Sequence, residues 1–331
     1  MTTFLAGSSL EVFTTRHVNL NTSTATTERD TTYTLSSVII NANGFYGETK
    51  MVALAAETNI FFHHEHFQAN GYTSAWQNPY EIVVGGTTMF RFRATGAAGT
   101  NGIEVEYWNG STFVSMGNFT TNNGGNGTRA QIDVWIKKHA STGFIRVFFN
   151  QVEVTSVTNI NTTSFFGDTI LRFGRAANAN NVNISQILIA NYNTLTAKVK
   201  QTAFTANGAV QEWTGTYAEI DEVVANYADV LTTDVADEIS TFKSAARTVT
   251  GFGVRSVGVI FNALKGGEDA PPNIRGVLRI SGTNYYTANA ALGYGAYGFP
   301  FMWDTNPSTS GTWNLANAID ANLEFGLQAR S

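Results

Sequence analysis

Residues Arg129–Lys138 read R-A-Q-I-D-V-W-I-K-K, Gly143–Val154 read G-F-I-R-V-F-F-N-Q-V-E-V, Thr169–Arg175 read T-I-L-R-F-G-R, and Asn183–Thr194 read N-I-S-Q-I-L-I-A-N-Y-N-T. Each run is rich in β-branched and aromatic residues and is bounded by Gly, Asn, Ser or Thr, which is the pattern of successive antiparallel strands. Ile132, Val134 and Ile136 alternate with polar or aromatic neighbours, so one face of that strand is expected to be buried and the other more solvated. Asn150-Gln151 is placed for a tight turn before Val152 and Val154 continue the meander. Alternation by itself fits any antiparallel sandwich.

Upstream the texture is the same. Ile60-Phe61-Phe62-His63-His64-Glu65-His66-Phe67 is followed by a loop, Gln68–Pro79, and then by Glu81-Ile82-Val83-Val84. In Met89-Phe90-Arg91-Phe92-Arg93 the Phe and Arg residues alternate between two faces. Ile103–Trp108 meets Asn109-Gly110 and returns as Thr112–Met116, and Asn-Gly between alternating runs is a strong hairpin signal. Residues from about 50 to 195 therefore supply strand after strand with almost no helical period, as a two-sheet jelly roll requires. Residues 1–45 are low in charge and rich in Thr, Asn and Ser, and read as an N-terminal arm with edge strands.

Thr194–Gln201 reads as the joint to a second domain, residues 196–331. There Asn207-Gly208 is a candidate hairpin tip, and Val254–Ala263 is a clean strand stopped by Lys265-Gly266-Gly267. Arg275–Ile280 leads through Ser281-Gly282-Thr283 to Tyr285-Tyr286 as a hairpin, and Leu323–Gln328 is a closing strand. Glu219–Glu238 has apolar residues at helical spacing, but Thr and Asp at 231–234 favour turns; an irregular segment with one helical turn is expected.

Composition narrows the classes. The chain has 331 residues, long for one domain and comfortable for two, with 43% hydrophobic, 12% aromatic and only 14% charged residues. It has no cysteine, so disulfides, thiolate nucleophiles and cysteine-ligated metals are out. Net charge is −5, with 11 basic against 12 acidic residues up to position 195 and 9 against 13 after it. No basic stripe is present to neutralise phosphates, so nucleic acid is not the expected partner. Met1–Leu10 has neither a basic nor a long apolar region, so no secretion signal is expected, and no apolar run is long enough to span a membrane.

The order Arg129–Thr194, with its I-S-x-I-x-I-A strand at Ile184–Ala190, resembles the second half of a concanavalin A-like (laminin-G-like) jelly roll. Beyond it, Trp213-Thr214-Gly215 matches a W-T-G motif that opens a second β-domain. Val257–Ala263 resembles that domain's central strand, Arg279–Thr283 its R-x-S-G-T hairpin, Trp303–Pro307 its W-D-x-x-P segment and Phe325-Gly326-Leu327 its closing strand. Over about residues 50–331 this order resembles a group of tailed-bacteriophage virion proteins. The resemblance implies an all-β chain, a concanavalin A-like jelly-roll sandwich (46–195) followed by a smaller antiparallel β-sandwich. It also implies a non-enzymatic virion protein, a tail or head fibre or capsid decoration, that assembles with other virion proteins as a homo-oligomer such as a trimer.

Three clusters bear on chemistry. His63, His64, Glu65 and His66 suggest a metal site, but strand alternation pairs His64 with His66 and His63 with Glu65 on opposite faces. Four ligands on one side are not at hand; sheet residues, two of them half-exposed, are expected, and no metal or cofactor. Glu104 and Glu106 stand roughly 6–7 Å apart along a strand, suited to paired-carboxylate hydrolysis. The third acid of the jelly-roll glucanases is missing, and the pair is expected to be non-catalytic. Laminin-G-like domains often bind glycans, and Tyr72, Trp76, Tyr80 and Trp108 are the candidate stacking faces on loops. The alternative function is accordingly a receptor binder that recognises host-surface glycans through the jelly roll.

Overall fold

The computed structural model describes residues 1–7, 13–16, 21–23, 34, 37–40, 46–49, 51–68, 77–94, 102–120, 128–174, 182–222, 228–245, 253–295, 297–314 and 323–331. It divides into two units, Met1–Lys200 and Gln201–Ser331. Both are all-β.

The first unit is two antiparallel sheets. One carries, in spatial order, β14 (Val152–Ile160), β13 (Gly143–Phe149), β12 (Thr128–Lys137), β7 (Asn59–Gln68), β16 (Val182–Ala190), β4 (Ser37–Ile40) and β3 (Asn21–Ser23), and β1 (Thr3–Gly7) also pairs with β16. The other carries β11 (Phe113–Thr120), β10 (Gly102–Trp108), β9 (Thr87–Ala94), β8 (Gln77–Val84), β15 (Asp168–Gly174), β5 (Tyr46–Thr49) and β2 (Phe13–Arg16), with β6 (Val52–Ala53) on β15. Strands distant in sequence lie side by side, β7 against β12 and β16, β8 against β15, as in a jelly roll. The described strands of residues 1–45 pair into both sheets, β3 and β2 at their edges and β1 on β16.

Alternation decides what lies between the sheets. Phe62, Val134, Val147 and Ile189 from the first sheet meet Ile82, Phe90, Phe92, Val105 and Phe173 from the second, all essentially solvent-free. Truncating a side chain of this kind costs about 2–5 kcal/mol. The β13–β14 turn is the one expected: Asn150 and Gln151 have φ of 49° and 70°, the left-handed pair that suits the twist of a two-residue hairpin.

The second unit has a sheet ordered β17 (Phe204–Gln211), β18 (Ile239–Ser244), β26 (Glu324–Arg330), β20 (Asn273–Ile280), β21 (Thr283–Tyr286), with β22 (Ala290–Ala291) on β20. Beside it are the pairs β19 (Val257–Ala263) with β23 (Tyr297–Trp303), and β24 (Thr305–Asn306) with β25 (Gly311–Thr312). Phe242, Phe261, Leu278, Phe299, Phe301, Trp303 and Phe325 form its core. Two expectations change here. Val257–Ala263 is not a central strand; β26, paired on both sides, holds that place. Asn207-Gly208 is no hairpin tip but lies inside the bulged β17, and a Cβ on Gly208 would stand 2.3 Å from Thr241 Oγ1. The glycine is there to let two strands approach. A 3-10 turn at Tyr217–Glu219, closed by a capping box between Thr216 and Glu219, ends where the segment read as irregular with one helical turn begins, and residues 223–227 of that segment lie outside the described ones.

Candidate functional site

Because side chains alternate, the inward Phe90, Phe92 and Val105 force Arg91, Arg93, Glu104 and Glu106 onto the outer face of the second sheet. Register extends this into a row. Glu48, Arg172, Glu81, Arg91 and Glu106 are cross-strand neighbours on five adjacent strands, β5, β15, β8, β9 and β10. Their charges alternate in sign. Arg172 bonds Glu48 at 2.6 Å and Glu81 at 3.0 Å, and Arg91 bonds Glu106 at 2.6 Å. One rung along, Arg93 pairs with Glu104 and reaches Glu106 at 3.3 Å. Burial pulls the Arg172 guanidinium down, but its bonds to both carboxylates more than offset this and hold it above its ordinary value.

An aromatic corner adjoins the row. Trp108 follows Glu104 and Glu106 in the outward set of β10 and meets Phe113 edge-to-face at 5.3 Å, and Arg91 lies 3.7 Å over the Phe113 ring. Guanidiniums, carboxylates and a half-buried indole thus share one sheet face. Together they present hydrogen-bond donors, acceptors and an apolar surface in fixed positions.

The outer face of the first sheet carries similar groups in the opposite state. His63 and Asp133 are cross-strand partners, Nδ1–H donating to Oδ1 at 2.8 Å, and both are 0% exposed. Gln131 Nε2 donates to Asp133 Oδ2 at 2.7 Å and Thr194 Oγ1 to Oδ1 at 2.8 Å. Burial pushes the Asp133 carboxyl up, but His63 and these three hydrogen bonds outweigh it and hold the group below the usual aspartate range. The cover is the segment that leads out of β16. Besides Thr194, it accepts from Gln131 at Leu195 O (2.6 Å), sends Lys198 Nζ to Glu65 Oε1 at 2.8 Å, and donates from Val199 N to Gln186 Oε1 at 3.2 Å. The expected joint is therefore a strap laid over a buried charge network.

The sequence candidates fall in different places. Trp108 lies on the charged face. Tyr80 is corrected: it is 1% exposed in the sandwich core, stacked on His64 at 4.8 Å, and presents no face to a ligand. Burial, and then the Asp133 charge, push its phenol well up, so it stays neutral. Tyr72 and Trp76 lie outside the described residues. His63 and His64 are both fully buried rather than half-exposed, one under the strap and one in the core, and the His66 side chain is outside the described residues. Among the described residues no group of three or more His, Asp or Glu is placed to hold a metal. Glu104 and Glu106 each stand opposite an arginine. Sequence reading did not single out Glu48, Glu81 and Arg172, although each occupies a polar position in an alternating strand.

No protein-family model matches the chain, and no curated protein matches it. Among solved structures it is similar to the globular domain of T. cruzi calreticulin (8% identity, TM-score 0.44, 59% of this chain and 90% of that one). It is also similar to a conserved carbohydrate esterase from the Shiga toxin-encoding bacteriophage phi24B (13% identity, TM-score 0.40, 57% and 97%). A third is the endo-1,3-beta-glucanase from Streptomyces sioyaensis (10% identity, TM-score 0.36, 46% and 75%). These are likenesses of architecture, and the all-β assignment stands on the strand order itself. They do correct one expectation. With an esterase, a glucanase and alginate lyases among the similar structures, the reading of the chain as non-enzymatic is withdrawn.

Proposed function

We propose that the jelly roll recognises a glycan on the outer face of its second sheet, and that the chain does so as part of a tailed-phage particle. The observation that carries the glycan reading is the single face on which a five-residue row of alternating charge adjoins Trp108 and Phe113. Sugar rings offer hydroxyls that both donate and accept, and apolar C–H faces that pack on aromatic rings; this face offers the counterpart of each. The carbohydrate-active proteins among the structures of similar architecture are in keeping with this reading. The particle setting is supported by the order of motifs from Ile184–Ala190 through Trp213-Thr214-Gly215 to Phe325-Gly326-Leu327. It implies homo-oligomeric assembly with other virion proteins and a host-surface glycan as ligand.

The test is a glycan array with the full chain and with Trp108→Ala, scored for binding and for release of reducing ends. Binding that falls about tenfold in the variant at an unchanged Tm supports the reading, and release of reducing ends would add catalysis to recognition. Binding indifferent to Trp108, or none to any glycan, overturns it. Quantitative mass spectrometry of purified particles tests the setting, and absence of the chain from them removes it.

A further inference from the structure

The charges on the proposed glycan face also specify which class of glycan it takes. Resting on the glycan reading above, we infer that the ligand is a neutral, hydroxyl-rich saccharide and that polyanionic glycans such as uronate polymers are rejected.

Each arginine of this face already has an anionic partner. Arg172 is held between Glu48 and Glu81, Arg91 is bonded to Glu106 and packed on Phe113, and Arg93 is bonded to Glu104 and lies 3.3 Å from Glu106. Every guanidinium of the row and its neighbouring rung is matched to a carboxylate of this face. Among the described residues of this row and rung, four carboxylates, Glu48, Glu81, Glu104 and Glu106, stand against three guanidiniums, a net negative set. An arginine that recognises a ligand carboxylate does so with its fork of N–H donors turned to the ligand. Here the donors engaged in the ion pairs reach along the sheet, Arg172 to Glu48 and Glu81 and Arg91 to Glu106. A uronate that entered would add a fifth carboxylate beside three guanidiniums that each already face a glutamate of this face, in a partly buried setting. Like charges so placed repel strongly because solvent screens them little.

A neutral hydroxyl meets no such conflict. It can donate to a carboxylate oxygen or accept from an N–H without bringing a charge of its own to the ion pairs. The ladder stays intact, so the donors and acceptors are held in place before the ligand arrives and little ordering cost remains. Trp108 supplies the surface for the sugar's apolar face.

The experiment compares the full chain on uncharged polysaccharides (a β-1,3-glucan, a galactomannan and dextran) and on acidic ones (alginate and polygalacturonate), each at low and high salt. The expected result is binding to at least one neutral polymer that salt does not weaken, with the acidic polymers bound about tenfold less or not at all. Glu48→Gln, which frees one arm of Arg172, should narrow that gap by improving the acidic polymers. Preference for an acidic polymer, with binding that salt weakens, overturns the inference while leaving the glycan reading intact. Failure of every polymer, or binding indifferent to Trp108→Ala, overturns both.

Discussion

The two outer faces of the jelly roll carry the same kinds of residue and hold them in different ways. On the first sheet, His63, Asp133, Gln131 and Glu65 are sealed under the strap of residues 194–199. On the second, Arg91, Arg93 and Arg172 keep about a quarter of their side-chain surface in contact with solvent while pairing with four glutamates, of which Glu81 and Glu106 are themselves buried. A charge removed from water must find its partners inside the protein, so the sealed network is an obligation of the fold. A charge at the boundary keeps part of its hydration, so its pairing costs the fold less. What separates the two faces is the strap.

That contrast can be attacked from its stronger side first. Asp133→Ala removes the acceptor of three side-chain bonds and leaves His63, Gln131 and Thr194 buried without it. The expected loss is about 3–5 kcal/mol, read by denaturant unfolding of the first unit. A loss under about 1 kcal/mol would mean that the network contributes little to the fold.

Acid attacks the same group. Because the folded-state carboxyl lies below its ordinary value of about 3.9, its stabilisation is present above that pH and is lost as pH falls through the lower folded value. The Tm should therefore drop as the pH is taken down through and below about 4, and Asp133→Asn should lack that part of the drop. Parallel curves for the two proteins would place the acid sensitivity elsewhere.

A smaller effect is expected at the strap. Lys198→Ala leaves the Glu65 carboxylate, 6% exposed, with the weak Ser185 contact at 3.5 Å, at a cost of about 1–2 kcal/mol. Proteolysis in 195–200 should quicken. If the cleavage rate stays as in the parent, Lys198 is not what fastens the strap.

The smallest change in stability belongs to the open face. Glu104→Gln keeps the shape and removes one charge of a boundary pair, worth about 1 kcal/mol or less. A loss of several kcal/mol would show that this face, too, is an obligation of the fold and would weaken the case for a ligand there.

Much of this was legible in the chain. Phe90-Arg91-Phe92-Arg93 and Ile103-Glu104-Val105-Glu106 announce outward charges by period alone, and Asn150-Gln151, Asn109-Gly110 and Ser281-Gly282 announce their turns. The ladder itself was not legible. Arg172 lies 124 residues from Glu48 and 91 from Glu81, and only register brings them together. Tyr80 misled because a tyrosine next to Pro79 reads as loop, whereas β8 begins at Gln77 and alternation turns Tyr80 inward with Ile82. The His63–Glu65 face misled for another reason. Its strand alternates as an exposed face should, and the residues that cover it come from more than 120 positions further along.

The sequence by itself determined the class of structure: period-two alternation and turn chemistry act over a few residues, and those forces are local. It also determined which side chains share a strand face. Only the tertiary structure decided which of those faces is sealed and which stays open, because strand register and the path of residues 191–200 depend on contacts between distant parts of the chain. Burial follows from those contacts. With it comes the difference between a charge pair sealed inside the protein and one whose arginine keeps contact with water.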